Sequence, residues 1–574
     1  MSSKKKKSKG RKTLLIILSI ALLLLLILFT GVNAYLENLI KNKIDSQLNK
    51  NPKSLYHIMY EDLDLNIMSG SVTIKNISIQ PSDSASWMLN NGLLGSLFKS
   101  SIEEFIIKHL KIFDFVSDRN IDISKIILNN ATTKYIVNPN AKKTDKKDKN
   151  TNQNIFPEIL NKLKVDDFEF QNTTFQMAHY NNTDEYLFEL DSLSINISDI
   201  YIDSTTASKT IPLNFSSIEI NTQMFELKSM KYYSISTSGI DFNLNDTTFT
   251  LNAFKLTPKY PRDEFNTMIK YNDDLFSVST EKIVLNGLNI NKIEQSKLLN
   301  FNSVNVYNPV IGIYRDKRLP DASFKKKKLI TSIVKSIPIA IEVDTLKILN
   351  GQLTYEEMHN TTDKPGKVFF NPLFLTAYNV TNDSILIAQN AHLQIDVKGK
   401  IMGKSEITAN FDFYLNRSDD YFTAKGNLKA IRGAEFNQIL EALLLAEIQS
   451  CNVHSASFDF TANDDVSHGK LDLVYDSLVA VVLKHKDPKK ESKTWSWLAN
   501  NFIAENNLPD DPNYRTGIIH FERNKDKALV NYLWNSIKTG IITSILPMAE
   551  KKELKKEAKQ EKAASKKKNE MPRS

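Results

Sequence analysis

Apolar and polar side chains alternate with a period of two along most of this chain, and that rhythm predicts β-strands. Leu63, Leu65 and Ile67 alternate with Asp62, Asp64 and Asn66, Ser69-Gly70 supplies a turn, and Val72 and Ile74 alternate with Thr73 and Lys75. The spacing predicts a hairpin with one greasy and one polar face. Its parity changes at Asn76, where Ile77 and Ile79 take over, which predicts a bulge. A recurring unit follows: apolar-x-apolar, a short turn centred on Asn or Gly, then apolar-x-apolar again. It occurs in Val165 to Met177 with Phe168 and Phe170, in Val343 to Tyr355 with Leu346 and Ile348, and in Cys451 to Phe460. Weaker cousins are Ile126 to Tyr135, Ile283 to Ile290 and Val304 to Tyr314. Each is expected to be a hairpin that needs neighbours for stability. The first three follow short helix-like or apolar pieces, Phe156 to Leu163, Leu329 to Ile341 and Leu443 to Ile448. Between these units, stretches such as Leu393 to Val397 and Phe411-x-Phe413-x-Leu415 keep the alternation going, so one long antiparallel sheet is the economical expectation.

The period changes in three places. Thr13 to Tyr35 is an almost unbroken apolar run without a charge, preceded by Lys4 to Lys7, Lys9, Arg11 and Lys12. Roughly 20 helical residues cross a hydrocarbon core, and a basic flank stays cytoplasmic, so the expectation is a single membrane anchor with the body on the far side. A cleaved signal peptide ending at Val32-Asn33-Ala34 is the competing reading, against which the apolar core is long. Leu36 to Leu48 has helical spacing and continues the span as a short amphipathic helix. Near the other end, Ala528 to Leu546 carries Leu529, Leu533, Ile537, Ile541 and Ile545 on one stripe beside Tyr532 and Trp534, and Pro547 stops it. That stripe either caps the sheet or meets a membrane or partner. Trp87 to Phe98 reads as a loop or broken helix.

Composition narrows the setting. The 574 residues carry a formal net charge of +8 and are 41 % hydrophobic, enough for substantial cores. Lysines crowd the two ends, in segments too poor in apolar residues to fold alone. A single cysteine, Cys451, excludes an internal disulfide and a thiolate metal site, and in an oxidising compartment that favours a bacterial envelope. The expected organisation is a cytoplasmic tail over 1–12, a span over 13–35 and a helix with the first sheet segment over 36–137. A linker over 138–154 precedes sheet segments over 155–324 and 325–527, a helix over 528–548 and a basic tail over 549–574.

No phosphate loop, GxSxG, HExxH or paired-cysteine pattern occurs in the sequence, so no enzyme and no cofactor is expected. His109, His454 and His520 sit in strand-like surroundings, and Asp464-Asp465 and Asp510-Asp511 read as solvated turns. The basic runs Lys325 to Lys328 and Lys484 to Lys490 read as solvent loops.

The basic N-terminus and span, the hairpin from Tyr60 to Ile79, the recurrent units KVDDFEFQNTTF, EVDTLKILNGQLTY and CNVHSASFDF, and the ending NKDKALVNYLWNSIKTGIITSI together resemble the AsmA-like family of envelope proteins, related in architecture to TamB and the bridge-like lipid transfer proteins. The resemblance implies an inner-membrane anchor and an elongated, curled, taco-like β-sheet whose concave face carries phospholipid toward the outer membrane or keeps outer-membrane assembly in order. Periplasmic location, phospholipid and envelope assembly partners follow, and nucleic acid does not. The walls of such a groove are expected at Leu63, Leu65, Ile67, Val72, Ile74, Phe168, Phe170, Leu346, Ile348, Phe411 and Phe413. Roughly 25 to 30 strands at about 4.8 Å give on the order of 120 to 145 Å of length, short for bridging two membranes unaided. The rival reading is a closed sandwich that binds other proteins by strand addition.

Overall fold

The computed structural model describes residues 42, 54–66, 69–111, 120–141, 161–203, 205–206, 213–320, 326–359, 363–484, 487–491 and 503–546. The Thr13–Tyr35 run, most of the 36–48 helix, Ile67, residues 142–154 of the linker and the basic tail lie outside them. Among the described residues no helix is long and apolar enough to cross a membrane.

The protein is mainly β, with a few short helices, in two compact units. The first reaches Lys231 and resumes over Ile235–Leu251; the second holds Tyr232–Ser234 and continues from Asn252. Strands in the first part of the chain are β1 (Tyr56–Met59), β2 (Asp62–Asn66), β3 (Ser71–Pro81), β4 (Ser96–Leu110), β5 (Asn120–Val137), β6 (Lys162–His179) and β7 (Asn182–Asp203). Shorter ones follow: β8 (Ser217–Thr222), β9 (Met224–Leu227), β10 (Tyr233–Thr237), β11 (Gly239–Asn243), β12 (Thr248–Asn252) and β13 (Lys255–Pro258). The second unit continues with β14 (Asp274–Ser279), β15 (Lys282–Asn286), β16 (Leu298–Tyr307), β17 (Val310–Asp316), β18 (Ala340–Met358), β19 (Gly366–Thr381), β20 (His392–Ile401) and β21 (Ser405–Tyr414). It ends with β22 (Phe422–Leu428), β23 (Ile431–Arg432), β24 (Ala446–Ala462), β25 (Val466–Lys484), β26 (Asp487–Glu491) and β27 (Thr516–Glu522). The helices are α1 (Asp83–Asn90), α2 (Arg262–Met268), α3 (Ile290–Ser296), α4 (Ile330–Lys335), α5 (Ser384–Gln389), α6 (Asn437–Leu444) and α7 (Leu529–Ile545).

The hairpin across Ser69-Gly70 forms as expected, with Asn66 opposite Ser71 and Gly70 at φ +65°. Asn76 has φ +51° and lies between the pairs Lys75–Glu104 and Ile77–Ile102, whose register is the same on both sides, so the change of parity is a left-handed kink and not the expected bulge. The recurrent units are a correction. They are not hairpins: Val165–Met177 lies in β6, Val343–Tyr355 in β18, Cys451–Phe460 in β24 and Ile126–Tyr135 in β5, each a single long strand. In three of these the central Asn does not reverse the chain but adopts the left-handed conformation, at φ +49° in Asn130, +50° in Asn172 and +55° in Asn350. One such residue inserts into the pleat and swaps the faces, so a kinked strand and a hairpin write the same apolar pattern. The expected all-antiparallel pairing is also corrected. β5 pairs in parallel with β6, and β16 and β17 pair in parallel with β18. Smaller corrections are that Asp83–Asn90 is a regular helix capped by the Ser82 hydroxyl, and that Lys162 and Leu163 already belong to a strand. Asn138 is buried, with its amide donating to the Leu89 carbonyl.

The kinks belong to a larger regularity. Adding 178 to a number in β4–β7 lands on β14–β19: Asn130 falls on Asn308, Asn172 on Asn350, Leu97 on Leu275 and Ile136 on Tyr314. The parallel registers match too, Asn120 with Lys162 in the first unit and Leu298 with Ala340 in the second. So do the side-chain ladders: Asn130 donates to Glu103 and Asn172 to Asn130 (2.7 Å), while Asn308 donates to Glu281 and Asn350 to Asn308 (2.8 Å). Helices α1 and α2 each seal one face of their unit at matching places, α1 over Leu97 and α2 over Leu275 and Tyr314. The segments β4–β7 and β14–β19 are thus one plan used twice. Because a β-branched residue is strained at positive φ and cannot make the ladder, Asn350→Val is expected to destabilise by about 1–2 kcal/mol. Asn350→Gly should cost less than half of that. Urea midpoints for the two variants check it, and equal shifts would show that backbone conformation is not what Asn350 provides.

Candidate apolar face

Neighbouring strands place the expected wall residues in register. In the first unit Leu63 lies opposite Ile74, Ile74 opposite Phe105, Phe105 opposite Leu128 and Leu128 opposite Phe170. The row continues through Ile195 and Ile220 to Phe242 on β11, eight strands with no polar side chain. A second row beside it runs from Leu65 through Val72, Ile107, Ile126, Phe168 and Ile197 to Ile218. The rows therefore bring together Leu63, Leu65, Val72, Ile74, Phe168 and Phe170, with the rings of Phe168 and Phe170 5.1 Å apart. Leu65, Val72 and Ile74 are buried, whereas Leu63, Phe168 and Phe170 remain half-buried.

The second unit repeats this at greater width. One row starts at Leu285 and passes Val304, Leu346, Ala377, Ile395 and Phe411. It goes on through Ala424, Phe460 and Gly469 to Ile519, ten strands in all. The adjacent row takes in Ile283, Val306, Ile348, Leu375, Val397 and Ala409 before reaching Gly426, Phe458, Leu471 and Gly517. On the opposite face the same strands carry Lys347, Asp396, Asn410, Lys425, Asp459 and Lys470, tied by Asn410 to Asp396 (2.7 Å) and Lys425 to Asp459 (3.0 Å). That face is water-facing by composition, and its ion pairs add little to stability.

Cover over the apolar face is uneven. From Leu285 to Phe411 the row is half-buried, apart from the buried Ala377, but Ala424, Phe460 and Ile519 are fully buried. The reason is α7. Leu529, Leu533, Ile537, Ile541 and Ile545 pack against the same core as Phe411, Phe413 and Leu346, so the stripe covers sheet. Trp534 and Val530 face out, 39 % and 58 % exposed. Gly517 and Gly540 let helix and strand touch. The helix also supplies partners to β27: the Thr543 hydroxyl accepts from the Ile518 amide (2.7 Å) and the Thr539 hydroxyl from that of His520 (3.3 Å). Phe413 is 2 % exposed in this closed part.

Several charged groups differ from expectation. Asp464 is no solvated turn: Arg523, with a side chain wholly buried, pairs with it, and Lys326 (2.7 Å) and Lys525 (3.2 Å) join them. Burial alone raises the Asp464 carboxyl, but these hydrogen bonds and charges outweigh it and hold it below the ordinary carboxylate value. Lys327 reaches Asp273 (3.4 Å), so the 325–328 run is partly spent on internal pairs. Among the described residues no cluster of His, Cys, Asp or Glu could hold a metal. The row structure itself was invisible in the sequence, because alternation shows a face and not the register between strands.

No protein-family model matches the chain, and no curated protein matches its sequence.

Proposed function

We propose that this protein is a membrane-anchored, non-enzymatic lipid carrier of the cell envelope, whose sheet curls into a trough for phospholipid acyl chains. One observation carries the reading: two adjacent rows without a polar side chain run across ten strands of the second unit, and their Leu, Ile, Val and Phe members stay half-buried as far as Val397 and Phe411. A greasy sheet face in water has to be covered by sheet, helix or ligand. Acyl chains supply such cover at about 0.8 kcal/mol per CH₂, and a row of equivalent side chains lets them slide at nearly constant energy. The Thr13 to Tyr35 run supplies the anchor, and the polar face meets the periplasm.

Mass spectrometry of lipids extracted from the purified full chain tests this. The expected result is at least one phospholipid per chain surviving detergent exchange. A lipid-free protein that melts cooperatively would instead favour an envelope scaffold with a closed core.

A further inference from the structure

The apolar face of the second unit ends in charge at one lip. Beyond the kink, Val278, Ile311, Leu353 and Phe370 form one row, and Phe276, Ile313, Tyr355 and Val368 the next. Phe370 lies opposite Ile401, which shares a face with Val397 and Ile395 on the unkinked β20, so these rows extend the same trough. The following row is Asp274, Arg315 and Glu357, in register across β14, β17 and β18. Arg315 is 6 % exposed and holds Asp274 through Nε and Nη2, both at 2.7 Å. Glu357 accepts a hydrogen bond from the Tyr355 hydroxyl. The surroundings are poor in water: burial, followed by the charge of Glu357, pushes the Tyr355 hydroxyl above its ordinary value.

Such a row is costly to bury and weak as a stabiliser. It is also not required by the fold, because the matching positions of the first unit are Ser96, Val137 and His179. With Asp274 neutralised by Arg315, one negative charge remains, on Glu357, at the margin of an apolar trough.

We propose that this lip is a headgroup site that selects zwitterionic, primary-amine phospholipids over anionic ones. The ammonium meets the Glu357 carboxylate, the phosphate stays in water beyond the lip, and the acyl chains run down the rows from Phe276 and Ile313. An anionic headgroup without an amine meets Glu357 unpaired. This inference rests on the carrier reading above.

The test incubates delipidated full-length protein with vesicles of equal parts phosphatidylethanolamine and phosphatidylglycerol, then measures the bound ratio by mass spectrometry. About fivefold enrichment of phosphatidylethanolamine is expected, the scale of one partly screened charge pair. Glu357→Gln should bring the ratio to about one with total lipid unchanged. Tyr355→Phe, which leaves the carboxylate charged, should keep the enrichment. Lipid bound by the wild type in equal proportions overturns the headgroup site and leaves the carrier intact, as does enrichment that survives Glu357→Gln. Absence of bound lipid overturns both.

Discussion

Replacing Gly517 with valine is expected to lift α7 from the sheet and cost the second unit about 3 kcal/mol, the upper range for overpacking. The contact leaves no room to adjust. A Cβ at Gly517 would stand 2.1 Å from the Gly540 carbonyl oxygen and 2.4 Å from the Ser544 hydroxyl. The first of these is helix backbone, so no rotamer change relieves it. Moving the helix away breaks the Thr543 and Thr539 bonds to β27 and uncovers Leu471 and Ile519, the two most enclosed members of their rows at this end. Thermal melting should show a drop of several degrees, and protease should cut within 529–545 in the variant first. A melting point unchanged within error would mean that α7 is not held where Gly517 meets Gly540.

The second large effect concerns cargo and not stability. Ile395→Asp places a carboxylate in the middle of the ten-strand row, between Ala377 and Phe411. Ile395 is half-buried, so the empty protein can hydrate the new charge and remain folded. An acyl chain lying over it cannot, and an unpaired charge against hydrocarbon costs several kcal/mol. Bound phospholipid should fall at least about tenfold, the factor that about 1.4 kcal/mol produces. Lys398→Asp on the opposite face of β20, also a change of charge, should leave the lipid content as it was. Equal losses in the two variants would count against a trough on the apolar side.

Much of this architecture was legible from residue order. The β class, the turn at Ser69-Gly70, the kink at Asn76 and the stripe on α7 all follow from local periodicity and turn chemistry, which a single sequence contains. What escaped is non-local. Asn172 and Asn350 look like turn centres because a left-handed residue interrupts parity in a kinked strand just as a reversal does; only the pairing of Thr174 with Thr132 shows that the chain runs on. Parallel pairing of β5 with β6 was hidden because a helix-like pattern such as Phe156 to Leu163 does not say in which direction the strand after it pairs. The charged lip stayed out of sight because Asp274, Arg315 and Glu357 come from three separated segments, and nothing in any one of them says that the others lie alongside. Leu65, Val72, Ile74 and Phe413, expected as walls, are enclosed, since alternation distinguishes inward from outward and not covered from uncovered.

The hydroxyls of Thr539 and Thr543 occupy the amides of Ile518 and His520, which an incoming strand would need. Molecules brought close together therefore cannot concatenate through β27, and any higher-order array would have to be built from other surfaces.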